Sequence, residues 1–160
     1  MTTAVLRRSS FSFTFDLLIN NMDLNLKIAV DFDGTIVEHQ YPAIGEVKLF
    51  AFETLKALQK RGCRLILWTF RTGQELDEAV EFCRNNGVEF YAVNANYPEE
   101  VMDENTSRKI DADIYIDDKN LGGFPGWPEV WRMITGDEMK IREDKVKRSL
   151  RSRLFRKRNK

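Results

Sequence analysis

Short apolar segments alternate with amphipathic ones along most of the chain. The apolar segments are residues 26–30, 64–68, 89–93 and 113–116, each rich in Val, Ile, Leu or aromatic residues. Such short segments, bounded by turn residues, predict buried β-strands. Apolar residues recur at helical spacing within 47–58 and 76–83, and Gly62 and Gly87 follow as helix stop signals. The pattern therefore predicts strand, helix, strand, helix, strand and a further strand.

This order predicts an α/β protein with a parallel sheet that is buried on both faces. Right-handed crossovers and short connections favour a three-layer, doubly wound sheet. In such a sheet, ligands bind beyond the carboxyl ends of the strands, where the strand order reverses. A short last helix is expected from Pro128 to Ile134, with the proline in its first turn.

Polar residues follow three of the predicted strands. Asp31-Phe32-Asp33-Gly34-Thr35 follows the first strand, Thr69 the second and Asp117-Asp118 the fourth. Buried carboxylates are costly unless they are paired or hold a metal ion. Candidate ligands that are all oxygen atoms favour Mg²⁺. The pattern thus indicates Mg²⁺-assisted phosphoryl transfer at one edge of the sheet.

These motifs, with a downstream lysine, resemble the four signatures of the haloacid dehalogenase (HAD) superfamily of phosphohydrolases, over residues 26–135. The resemblance implies that Asp31 is a nucleophile that forms an aspartyl-phosphate. Asp33 would protonate the leaving oxygen and then deprotonate water. The implied Mg²⁺ ligands are Asp31, the backbone carbonyl of Asp33 and Asp117, with Asp118 as a further ligand or a supporting residue.

Five residues are expected to contact phosphate: Gly34, Thr35, Thr69, Arg71 and Lys109. Gly34 permits the backbone turn, and amides near it can face phosphate oxygens. Arg71 can add a fork of donors to an anion. Lys109 precedes the fourth strand, as the third motif of the family does, and Lys119 is the alternative lysine.

The intervals between the motifs leave no room for a cap domain. We therefore expect a capless, HAD-like hydrolase: a Mg²⁺-dependent phosphatase that acts on a small or macromolecular phosphoester not identified by the sequence. One alternative is a nucleic acid end-processing phosphatase, and another is a non-catalytic phosphate-binding protein of the same fold. Whether the protein forms oligomers is left open.

The balance of charge conceals an asymmetry. The chain has 25 basic and 25 acidic residues, but eleven of the basic and only two of the acidic ones lie in 140–160, so this tail carries about +9 and the rest about −9. A solvated arm, nucleic acid binding and binding to an anionic membrane all fit such a tail. We expect an N-terminal extension over 1–25, a HAD-like catalytic domain over 26–136 and a basic C-terminal helix or tail over 137–160.

Composition also limits the location of the protein. Two cysteines outside any Cys/His cluster argue against a disulfide framework or a zinc site and favour the cytoplasm. No apolar segment approaches the roughly 18 to 20 residues of a membrane span. Arg7-Arg8 and the apolar residues after it superficially resemble a signal peptide, but polar residues interrupt them and no small-x-small site follows. Met22 is an alternative start, which would make 1–21 an upstream extension.

Several other residues have less specific patterns. The single histidine, His39, is expected in a surface loop rather than in catalysis. Four aromatic residues are expected in the core rather than in a base-stacking platform: Trp68, Phe70, Phe82 and Trp131. Three polar or aromatic residues after the third strand, Asn94, Asn96 and Tyr97, fit either a substrate entrance or a loop cap.

Overall fold

Four parallel strands and three helices organise residues 23–136, the part of the chain that the computed structural model describes. The strands are β1 (Lys27–Val30), β2 (Arg64–Leu67), β3 (Ala92–Val93) and β4 (Ile114–Ile116). The helices are α1 (Ala51–Lys60), α2 (Gly73–Asn85) and α3 (Trp127–Thr135). The predicted α/β class and the parallel sheet are confirmed.

The strand order in the sheet is β3-β2-β1-β4. β1 pairs with β2 from Lys27 opposite Arg64 onward, and with β4 from Ile28 opposite Ile114 onward. The chain therefore adds β2 and β3 on one side of β1 and then β4 on the other, so that the strand order reverses at β1. Residues that follow β1, β2 and β4 consequently meet at one edge of the sheet.

Aliphatic side chains of β1 and β2 and of the inner side of α1 form the core. Ile28, Val30, Leu65 and Leu67 are fully buried, and so is Leu55 of α1. β-branched and leucine side chains suit strands that are covered by helices, because apolar contact then continues along the whole strand.

α1 and α2 meet through aromatic rings. The ring of Phe82 lies 6.0 Å from that of Phe52 in α1 and 6.2 Å from that of Phe32 just after β1, measured between centroids. These contacts put both helices on the same side of the sheet. Residues 94–113, all of them described, connect β3 to β4 without a helix. The three-layer, doubly wound arrangement therefore stays a prediction.

Two element boundaries differ from the predicted pattern. The apolar spacing begins at Val47, but this residue pairs with Val37 in an isolated antiparallel bridge. Phe50 then has a left-handed backbone (φ 66°), which delays the start of α1 to Ala51. The third strand, predicted over 89–93, is paired only at Ala92 and Val93, opposite Ile66 and Leu67 of β2.

The chain divides into two compact units, one that ends at Phe124 and one that begins at Pro125. In the second unit, α3 carries Pro128 in its first turn, as predicted, and ends at Gly136, which has a left-handed backbone. Within residues 23–136, no helix has the length and apolar character to cross a membrane. The predictions for 1–22, including the alternative start at Met22, and for the tail 137–160 lie outside the described residues.

Candidate active site

Three carboxylates meet at the edge where the strand order reverses. Asp31 directly follows β1, and Asp117 and Asp118 directly follow the neighbouring β4. One carboxylate oxygen from each residue lies within 4.8 Å of the others. We call these three residues the carboxylate cluster. Mg²⁺ prefers oxygen ligands, so the donor set fits that ion.

Asp31 is the buried member of the cluster. The pKa of its carboxyl is raised to about 7, chiefly by burial and also by the nearby Asp117 and Asp118 charges, although hydrogen bonds from Thr35 and the Phe32 backbone lower it. The physical cause is that a carboxylate out of water, beside two others, loses hydration and meets repulsion. A proton or a cation therefore stabilises this arrangement.

Thr35 and Gly34 hold the cluster together. The Thr35 hydroxyl donates to Asp31 Oδ2 (2.9 Å) and accepts from the Asp118 backbone N–H (3.0 Å), which links the ends of β1 and β4. Gly34 has φ 92°, and a Cβ at this position would lie only 2.3 Å from Asp118 Oδ2. Its N–H donates to the carbonyl of Val37 (2.8 Å). Both residues were expected on phosphate, and both contact the protein itself here.

Asp33 is paired with a buried arginine. Arg71 Nε donates to Asp33 Oδ2 and Arg71 Nη2 to Asp33 Oδ1, each at 2.7 Å. The guanidinium also donates to the carbonyls of Pro42 and Ala43, both at 2.9 Å. The sequence predicted that the Arg71 guanidinium binds phosphate, but its paired donors bind Asp33 instead. The reason is that the loop around Pro42 and Ala43 supplies acceptors on the far side of the guanidinium and keeps it buried.

A cleft of about 330 Å³ opens over the cluster. Its lining residues are Asp31, Asp33, His39, Trp68, Thr69, Phe70, Asp117, Asp118 and Lys119. Five of these were candidate site residues from the sequence, namely Asp31, Asp33, Thr69, Asp117 and Asp118, and Lys119 was the alternative lysine. Acidic, hydroxyl, basic and aromatic groups therefore share one concave site, which is the usual form of a small-ligand site.

The structure brings Lys119, rather than Lys109, to the cleft. Lys119 Nζ lies 3.2 Å from Asp118 Oδ2. Lys109 Nζ lies over the ring of Tyr115, 5.8 Å from its centroid, and Lys109 is exposed. The ammonium group nearest to the carboxylate cluster among the two candidates is thus that of Lys119.

Thr69 connects the ends of β2 and β3. Its Oγ1 accepts from the Arg71 backbone N–H (3.2 Å), and its own N–H donates to Asn94 Oδ1 (2.8 Å). Asn94 follows β3 and has a left-handed backbone (φ 48°). The sequence pattern left open whether Asn94 belongs to a substrate entrance or caps a loop. In the structure its side chain holds the Thr69 backbone through this hydrogen bond. The Thr69 hydroxyl can donate its own proton into the cleft.

Three cleft residues were not among the candidates from the sequence. His39 was expected at the surface and Trp68 and Phe70 in the core, and all three line the cleft. For Phe70 the core expectation is wrong, because 59% of this residue is exposed. A signal was present, since Trp68 and Phe70 flank Thr69 at the end of a strand whose last paired residue is Leu67. Nothing in the local sequence marks His39.

Fold and site together define an α/β protein with a four-stranded parallel sheet and a carboxylate cluster at its carboxyl edge. A solved structure of a conserved protein from Bacteroides thetaiotaomicron is similar to this chain, with 58% sequence identity and a TM-score of 0.66. The similarity covers 69% of this chain and 90% of the other. The chain belongs to the same family as that conserved protein. No protein-family model and no curated protein matches it.

Proposed function

We propose that this protein is a Mg²⁺-dependent phosphoric monoester hydrolase of the HAD type, with Asp31 as its nucleophile. The observation that carries the proposal is the carboxylate cluster, whose three ligand oxygens lie within 4.8 Å of one another at the floor of a cleft. Isolated acidic turns are normally solvated, whereas here three acids from two strands converge on one point.

The residues of the cluster suit a resident Mg²⁺. Asp31, Asp117 and Asp118 would hold the ion, with the backbone carbonyl of Asp33 as the further ligand that the family resemblance implies. When bound, the ion would supply positive charge that offsets the repulsion between the cluster and a phosphate group.

Asp31 and Asp33 divide the chemistry between them. Asp31 attacks phosphorus, the bond from phosphorus to the leaving oxygen breaks, and Asp33 gives that oxygen its proton. Asp33 then takes a proton from water, whose oxygen attacks the phosphorus of the aspartyl-phosphate and releases inorganic phosphate and free Asp31. Arg71 orients Asp33 for both steps, and each Asp33 oxygen keeps a second lone pair for the proton.

Two further side chains complete the phosphate site. The Lys119 ammonium, at the cleft beside Asp118, offsets negative charge on the phosphoryl oxygens. The Thr69 hydroxyl donates to one of those oxygens. We favour Lys119 over Lys109 for this role because only Lys119 lines the cleft.

The proposal extends to the architecture and setting of the enzyme. We propose a three-layer, doubly wound, HAD-like sheet without a cap domain, since only a loop over 31–50, α1 and a turn over 61–63 separate β1 from β2. We also propose a cytoplasmic enzyme whose substrate is a small or macromolecular phosphoester. The nucleic acid alternative depends on the basic tail 137–160, which lies outside the described residues and stays a prediction.

The decisive experiment measures phosphate release from nucleotides, sugar phosphates and phosphorylated oligonucleotides with Mg²⁺. Asp31→Asn should reduce turnover by at least about 10⁴-fold, because the nucleophile is lost. Asp111→Asn, which changes an exposed acid paired only with Lys27 among described residues, serves as the matched control and should keep full activity. Chelation of Mg²⁺ should also abolish turnover. If hydrolysis persists in Asp31→Asn, Asp31 is not the nucleophile.

A further inference from the structure

Two exposed aromatic side chains stand beside the cleft. Phe70 is 59% exposed and Tyr41 is 44% exposed. Their ring centroids lie 4.8 Å apart with an angle of 55° between the planes. We call this pair the aromatic rim. Phe70 also lines the cleft, together with Trp68 and His39. Large apolar side chains in a cleft, next to a few polar groups, are typical of ligand-binding sites.

The aromatic rim is attached to the core through Arg71. The guanidinium carbon of Arg71 lies 5.0 Å from the ring centroid of Phe32 and 5.2 Å from that of Tyr41. Four planar groups thus follow one another from the core to the surface, in the order Phe32, Arg71, Tyr41 and Phe70. Asp33 and two backbone carbonyls hold Arg71 in place.

This attachment affects the energetics of binding. A side chain that is already held in its bound position loses less conformational entropy when a ligand arrives. The backbone around Tyr41 is fixed as well, because the carbonyls of Pro42 and Ala43 accept hydrogen bonds from the buried guanidinium. Phe70 packs against this segment through the Tyr41 ring and also lines the cleft.

We propose that Phe70 and Trp68 form a subsite for a planar aromatic ring in the organic part of the substrate. The inference rests on the proposed phosphatase function and assigns its substrate class: phosphoesters that carry a nucleobase or an aryl group. The cleft has acidic and basic groups around the phosphoryl position and aromatic groups beside them. The His39 imidazole, which also lines the cleft, can exchange a hydrogen bond with a ring heteroatom.

The test compares substrates that differ only in the ring. Adenosine 5′-monophosphate and ribose 5-phosphate share the same phosphorylated sugar, so the ratio of their kcat/KM values isolates the base. We expect a ratio of roughly 5 to 150 in favour of the nucleotide, the range for stacking of one base on an aromatic side chain. Phe70→Leu, which keeps an apolar side chain but removes the ring, should bring this ratio close to one.

Tyr97→Leu is the matched control, because Tyr97 is an exposed aromatic residue that does not line this cleft. It should leave the ratio unchanged. Phenyl phosphate, compared with methyl phosphate, distinguishes an aryl substrate from a nucleotide. A preference for phenyl phosphate without a preference for the nucleotide would assign the subsite to aryl groups, and the reverse would assign it to nucleobases.

A binding measurement separates failure of the subsite from failure of the catalytic proposal. Calorimetry with Asp31→Asn and Mg²⁺ reports binding of adenosine 5′-monophosphate without turnover. If it binds, and adding Phe70→Leu weakens binding by 5-fold or more, the subsite stands even when the wild-type protein hydrolyses nothing. If adenosine 5′-monophosphate and ribose 5-phosphate are hydrolysed with equal kcat/KM, and Phe70→Leu does not change the affinity for the nucleotide, the subsite proposal is wrong. The phosphatase proposal then stands. If the wild-type protein is a dimer, and Phe70→Leu makes it a monomer without changing the ratio of the two kcat/KM values, the aromatic rim is instead an interface between copies of this chain.

Discussion

Asp31 and Asp33 are two residues apart, yet they lie in opposite electrostatic surroundings. Asp31 meets two other carboxylates and a threonine hydroxyl, and burial raises its pKa to about 7. Asp33 meets a guanidinium that donates to both of its oxygens. Two identical side chains thus differ in the charges that surround them. Such a difference between two carboxylates is how enzymes separate the roles of acid, base and nucleophile.

The difference shows why sequence spacing alone cannot assign roles. Asp31 is buried beside two further negative charges, whereas Asp33 is paired with a buried guanidinium. Repulsion within the carboxylate cluster favours a nearby positive charge, whereas Asp33 already has one in Arg71. The following changes test that contrast, from the largest expected effect to the smallest.

Arg71→Gln should have the largest effect on stability. It leaves the Asp33 carboxylate buried without its cation, a loss that typically costs about 3–5 kcal/mol. The double variant Asp33→Asn/Arg71→Gln removes both charges and should be less destabilised than the two single changes added together. Urea denaturation measures each free energy of unfolding.

The chain offers a matched control for that experiment. Arg132 and Glu129 in α3 form a second guanidinium–carboxylate fork, but both side chains are exposed. Arg132→Gln should change the stability little, because solvent replaces the lost interaction. Equal destabilisation by Arg71→Gln and Arg132→Gln would show that the burial of the Asp33 pair has no energetic consequence.

Gly34→Ala should act on the cluster through Asp118. The new methyl group would lie 2.3 Å from Asp118 Oδ2, so the carboxylate must move away. We expect Mg²⁺ affinity, measured by calorimetry, to fall by about tenfold or more, as displaced metal-site groups commonly cause. The left-handed backbone at this position adds roughly 1–2 kcal/mol of destabilisation.

Gly122→Ala separates these two effects. Gly122 has a similar φ of 96°, but within residues 23–136 no atom outside its two chain neighbours lies within 4 Å of its Cβ position. Gly122→Ala should lower the free energy of unfolding through backbone strain, but it should leave the Mg²⁺ affinity unchanged. Equal Mg²⁺ affinities in the two variants would mean that the position of Asp118 does not matter for the metal.

The smallest expected effect is the change of Mg²⁺ affinity with pH. The pKa of Asp31 is raised from 3.8 to about 7 in the folded protein. The folded state therefore holds a proton that the unfolded state releases, so the stability contribution of Asp31 is fully present below pH 4 and is lost as the pH rises to about 7. Mg²⁺ competes with that proton, so its apparent affinity should be about tenfold weaker at pH 6 than at pH 8.

Thermal denaturation with and without Mg²⁺ at the two pH values measures this difference, because a ligand of the folded state raises the Tm. The Mg²⁺-dependent rise in Tm should be larger at pH 8. Asp31→Asn should remove most of the pH dependence. If the Mg²⁺-dependent rise in Tm is equal at both pH values, Asp31 does not have to lose a proton for Mg²⁺ to bind.

Much of the fold could be predicted from local patterns. Alternation of apolar strands with amphipathic helices predicted the α/β class, and the meeting of parallel strand ends predicted that Asp31 and Asp117 lie close together. Both inferences depend on short-range periodicity and on a general property of parallel sheets. Neither requires knowledge of any particular loop.

The remaining features depend on contacts between distant residues. The direction of Arg71 is decided by Asp33 and by the carbonyls of a loop about thirty residues earlier. The exposure of Phe70 follows from the end of β2 at Leu67, whereas the apolar pattern continues beyond it. Lys119 reaches the cleft because the chain turns directly after β4. Such directions are set by tertiary structure, and local sequence patterns do not contain them.

The position of β1 between two neighbours has a consequence for how this protein can change. Its backbone is hydrogen-bonded on both sides, and the Asp31 N–H donates to Ile116 O across the sheet. The segment that carries Asp31 should therefore exchange its amide hydrogens only when the whole domain opens. Tyr41 and Phe70 lie in loops, so substitutions there can change the surface beside the cleft while the Asp31 carboxylate stays where it is.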